Sequence, residues 1–91
     1  MEERIRIERE KSQTALVAFL TADLNLAHTF LGIAQTKINS DPDHSRFASA
    51  KARDALRTIR RFQSHIEDPA ASANIRSRAD ALENSLKAFA V

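Results

Sequence analysis

The sequence contains no cysteine, so no disulfide or thiolate metal site can hold the fold and no thiol nucleophile can act. A single glycine and two prolines leave almost no turn chemistry. A β-rich fold needs turn residues every ~8–12 positions, so the pattern points instead to few, long helices. Tryptophan and tyrosine are absent, which removes the best platforms for stacking nucleic-acid bases. No uninterrupted apolar run approaches the ~18 residues of a membrane-spanning helix. The start, Met1-Glu2-Glu3-Arg4, lacks the apolar stretch of a signal peptide. A cytoplasmic protein with no membrane contact is the resulting expectation.

Charge of one sign is also scarce. Fourteen Lys and Arg stand against 12 Asp and Glu, a net charge of +2, too small an excess to mark a nucleic-acid binder by itself. Ninety-one residues, 43% of them hydrophobic, can bury one core but not two. A single domain over residues 1–91 follows.

Two Asp-Pro pairs divide the chain. At Asp41-Pro42 and Asp68-Pro69 the aspartate can cap a helix while proline fills its first position, where no N–H is needed. Proline also bars the preceding residue from the α region, ending the earlier helix. The predicted helices run to about Asn39, from Pro42 to about Ile66, and from Pro69 to about Phe89. Connections this short turn neighbouring helices antiparallel. The expected fold is all-α, an antiparallel three-helix bundle with a long first helix and the option of dimerising along it.

The faces can be read at ~100° per residue. In the first helix Leu16, Leu20, Leu24, Ala27, Leu31, Ala34 and Ile38 form one stripe, and Phe19, Leu26, Phe30 and Ile33 a second beside it. Together they exceed the ~100° arc of an ordinary surface helix, so this segment should touch two neighbours and be shielded on more than one flank. The second helix carries Ala48, Ala52, Ala55, Leu56, Ile59, Phe62 and Ile66; the third carries Ile75, Ala79, Leu82, Leu86 and Phe89, a narrow seam of coiled-coil spacing. Residues 1–11 form a charged extension, either a helical overhang or disordered. Glu2–Arg6, Arg4–Glu8 and Arg6–Glu10 are spaced to support a helix there, Ile5 and Ile7 are its only apolar residues, and Ser12 and Thr14 offer an alternative helix start.

From Ser12 to Thr36 the only charged residue is Asp23. Lying within the apolar arc, it is expected to be a buried carboxylate paired with an arginine of another helix, because an unpaired buried charge is costly. The remaining face carries Ala18, Thr21, Asn25, His28, Thr29, Gly32 and Thr36, mostly small and uncharged. A solvated face normally carries Lys and Glu, so this one is a candidate for contact with a protein partner or a second copy.

The stretch Ala27-His28-Thr29-Phe30-Leu31-Gly32-Ile33-Ala34 resembles the phosphoacceptor segment of histidine-phosphotransfer domains, in which a helix-borne histidine is followed by glycine one turn later. The resemblance implies a role for His28 as phosphoacceptor, with Gly32 leaving room for a partner's active site. The chain departs from that pattern at Leu31, where those domains carry lysine, and they use a four-helix bundle. On the second helix Arg46, Arg53, Arg57 and Arg60 line up opposite the apolar stripe, with Arg61 nearby. Such a ridge can hold phosphates or carboxylates bidentately, which makes nucleic acid or an acidic partner the alternative reading. His44 and His65 have no metal-ligand spacing, and no nucleotide loop or catalytic constellation occurs. The leading expectation is therefore a non-enzymatic interaction or scaffold module without cofactor, metal or small-molecule substrate.

Overall fold

The computed structural model describes the backbone of residues 2–90 and the side chains of residues 8–89. The chain is all-α: α1 spans Glu2–Lys37, α2 Pro42–Phe62 and α3 Pro69–Ala90, with one 3₁₀ turn at Gln63–His65. No strand occurs among the described residues.

Both Asp-Pro pairs act as helix starts. The Asp41 carboxylate accepts from the His44 N–H at 3.2 Å with Pro42 at the head of α2, and the Asp68 carboxylate accepts from the Ala71 N–H at 2.8 Å. Each satisfies an amide that the helix itself leaves unpaired. α2 closes earlier than its apolar spacing suggests, passing into the 3₁₀ turn. Ile66 then turns extended, at φ −74° and ψ 123°, yet stays buried.

Hydrogen bonds locate the helices along one another. The Ser45 hydroxyl donates to the Ala34 carbonyl at 2.7 Å, setting the start of α2 beside the end of α1. The Gln13 amide donates to the His65 carbonyl at 3.1 Å and accepts from the Glu67 N–H at 2.9 Å, so the second connection lies against the first third of α1. Arg78 donates to the Asn25 side chain at 2.8 Å, joining α3 to the middle of α1. The chain measures 59 × 18 × 15 Å, and 36 residues at 1.5 Å rise make α1 ~54 Å of that length.

The core runs along the interior of all three helices: Leu20, Leu24, Ala27 and Leu31 from α1, Ala52 and Ile59 from α2, and Ile75, Ala79, Leu82 and Leu86 from α3, with Ile66 between. Burying each Leu or Ile contributes about 1.5–3 kcal/mol. Buried Ala27, Ala34, Ala48 and Ala52 let α1 and α2 approach closely. Ser45 and Ser49, also buried, bond to backbone carbonyls at 2.7 and 3.0 Å, so their hydroxyls carry no unmet desolvation cost.

Three expectations need correction. Ile38 does not join the core stripe; α1 stops at Lys37 and Ile38 is exposed in the turn. The helix does not begin at Ser12 or Thr14 but continues through them from Glu2; Ile5, Ile7 and the pairs Glu2–Arg6, Arg4–Glu8 and Arg6–Glu10 lie outside the described side chains. Finally, Glu8–Lys37 is long and apolar enough to cross a membrane by length and composition, with a mean hydropathy of 1.5 in a window that is 22% buried. An uninterrupted apolar run is absent because Thr21, Asp23, Asn25, His28 and Thr29 break it, while the Leu, Phe, Val, Ile and Ala between them keep the mean high.

Candidate functional site

The segment expected to be shielded on two flanks is shielded on one. Leu20, Leu24, Ala27 and Ala34 are fully buried, whereas Phe19 is 50% and Leu26 49% exposed. At 100° per residue the bare strip is centred on Leu26, about 120° round the helix from the core strip. Ala15, Ala22 and Thr29 are exposed beside these two residues, and Ile33 is half-buried. Ala15, Phe19, Ala22, Leu26, Thr29 and Ile33 alternate steps of four and three, the spacing that keeps residues on one side of a helix facing a neighbour. The second stripe of α1 is thus real as a pattern, but within this chain only Phe30 of it packs against the core.

The polar face foreseen on α1 is partly occupied by α3. Asn25 is exposed but accepts from Arg78, and Thr21 and Gly32 are half-buried. The Thr21 hydroxyl donates to the Val17 carbonyl at 2.8 Å. Thr14, Thr29 and Thr36 likewise donate to carbonyls one turn back, at 2.9–3.1 Å. These threonines spend their protons on their own helix, which leaves the face less polar than its composition suggests.

Asp23, expected to be buried and paired, is half-buried and makes no ion pair among the described residues. It sits at the border between the core strip and the bare strip. Because the bare strip has no cover, the carboxylate keeps contact with water and needs no arginine.

His28 is exposed and takes part in no hydrogen bond or ion pair among the described residues. One turn on, a Cβ built at Gly32 would meet nothing within 4 Å, so packing inside the chain does not require glycine there. No group of three or more His, Asp or Glu suited to a metal ion occurs among the described residues.

The arginine ridge is largely neutralised. Arg46 pairs with Asp43 and Arg57 with Asp54 at 3.3 Å. Arg60, half-buried, spans to α3 and meets Asp80 at 2.7 Å and Glu83 at 3.3 Å. Arg61 lies over the Phe62 ring at 5.4 Å, and Arg53 reaches the Ser49 hydroxyl at 3.4 Å. From Arg46 to Arg61 the sequence sets six bases against one acid, Asp54, but Asp43 lies just before that stretch and Asp80 and Glu83 arrive from α3, which spacing within the stretch cannot reveal.

Two residues that sequence reading passed over hold the other end of the molecule. Gln13 clamps the second connection through both ends of its amide, and beside it Arg9 makes a forked contact with Glu67 at 2.6–3.1 Å. That hydrogen bonding, and the carboxylate's charge, raise the Arg9 pKa above its ordinary value. Both lie on α1 more than 50 positions from their partners, and their polar side chains carry no periodic signal.

Comparison with known proteins finds no family model, no curated protein and no solved structure that matches this chain.

Proposed function

We propose that this chain is a non-enzymatic protein-interaction module: an antiparallel three-helix bundle that uses the bare face of α1 to bind protein. The observation that carries this is the pair Phe19 and Leu26, two turns apart and each half exposed on a segment whose one ion, Asp23, lies at its edge. Isolated exposed leucines are ordinary, but a contiguous apolar strip is where a partner gains most by excluding water. The antiparallel arrangement is supported by the Ser45–Ala34 and Gln13–His65 bonds, which pair the start of α2 with the end of α1 and the end of α2 with its beginning. Arginine-mediated binding of nucleic acid is less well supported, since Arg46, Arg57 and Arg60 already face carboxylates. Phosphotransfer through His28 would need a cation beside the histidine, and Leu31 is buried where one would stand.

A photo-crosslinking residue placed at Leu26, and for comparison at exposed Arg57, tests the proposal in cells of origin. Protein adducts at position 26 and none at position 57 are expected. No adduct at position 26 would overturn it.

A further inference from the structure

We infer that the partner of the bare α1 face is a second copy of this chain, packed antiparallel so that the large residues of one copy lie on the small residues of the other. This rests on the proposal that the face binds protein, and names the protein.

The strip is built from two interleaved sets. Phe19, Leu26 and Ile33 recur every seven residues, and Ala15, Ala22 and Thr29 recur every seven residues between them. A two-fold interface must be complementary to itself. If two such strips run parallel, each heptad position faces its own copy, stacking Phe19 on Phe19 and leaving Ala22 against Ala22 across a gap. When one strip is reversed, the first position of the heptad faces the fourth. Every large side chain then meets a small one, and knobs fill holes along the whole seam.

Charge and polarity agree with this pairing. The strip offers a charged partner nothing to bind, and neutral surface meets neutral surface when it pairs with itself. The Thr29 hydroxyl already donates to the Asn25 carbonyl, so covering it strands no donor. Asp23, beside the strip rather than on it, falls at the rim, where it stays hydrated. A surface-lying membrane helix would instead flank its apolar strip with Lys and Arg, and here the flanks are Ala18, Asn25 and Asp23.

The area is adequate for a weak dimer. From Ala15 to Thr36 the strip is ~33 Å long at 1.5 Å per residue. With side chains reaching ~15 Å across, each copy contributes ~500 Å², and the pair ~1,000 Å², the lower bound of specific interfaces. An interface of that size suits a reversible dimer of roughly micromolar affinity rather than an obligate one.

Sedimentation equilibrium on the full chain from about 1 to 500 μM covers that range. A mass rising from one chain to two is expected, and a single-chain mass throughout would overturn the inference. Leu26→Glu should weaken dimerisation more than tenfold with unchanged helicity, because one substitution places two carboxylates in the seam; undiminished dimerisation would move the interface elsewhere and overturn it. Since the chain has no cysteine, a spin label on Lys11→Cys, exposed one turn before the strip begins, reports orientation without entering the seam. Antiparallel packing places the two labels more than ~25 Å apart at 1.5 Å per residue, while separations under ~15 Å would overturn the antiparallel arrangement. A chain that stays monomeric yet binds neutral phosphatidylcholine vesicles would assign the strip to a lipid surface and overturn the dimer. A monomer whose position-26 crosslinker captures a different protein overturns the dimer while sparing the interaction module; no capture at all removes both.

Discussion

The two strips of α1 both recur at helical spacing and both carry large apolar side chains, yet one is sealed and the other is half open. Leu24 is fully buried and Leu26, two residues along, is 49% exposed. The difference lies in where the chain returns. α2 and α3 return on the side of Leu20, Leu24 and Leu31, and among the described residues no fourth element covers the opposite side. Hydrophobicity shows which surface gains by being covered; connectivity determines which surface is covered from within.

The largest test of this contrast is Leu24→Ala. Truncating a fully buried leucine costs about 2–5 kcal/mol, measured by urea denaturation. A loss below ~1 kcal/mol would mean that the sealed strip is not sealed. Next comes the cap that aims α2. Asp41→Ala removes the acceptor for the His44 N–H and should cost about 1 kcal/mol, read as a lower urea midpoint with unchanged slope. Removing the α2–α3 bridge by Arg60→Ala should cost about 0.5–1 kcal/mol, falling as salt is added, since Arg60 keeps about a quarter of its side chain in solvent (28%). The smallest effect belongs to the open strip. Leu26→Ala, assayed where the chain is dilute enough to be monomeric, should change stability by less than ~0.5 kcal/mol. A cost near that of Leu24→Ala would erase the distinction between the strips.

Those strips also show how far the sequence could be read. The helix starts at Pro42 and Pro69 were legible because proline and a preceding aspartate act locally, through sterics and one hydrogen bond. The core of α3, with Ile75, Ala79, Leu82 and Leu86 all buried, was legible because a narrow seam leaves only one face to bury. Helix 1 was the harder case. Its wide apolar arc announces more surface than one neighbour can cover, but not whether the cover comes from this chain or from another molecule. Asp23 was misplaced for the same reason: a carboxylate in an apolar arc is buried only if the arc is.

What the amino-acid order determined by itself is helical class, the number of helices and where two of them begin, all consequences of short-range forces and of period. Which arginines are free, which asparagine is engaged and which flank of α1 is bare were decided only by the tertiary structure. Those depend on residues brought together from 20 to 58 positions apart, as in Arg60 with Asp80, Asn25 with Arg78 and Arg9 with Glu67. Local pattern carries no information on such distances, because the packing of whole helices sets them.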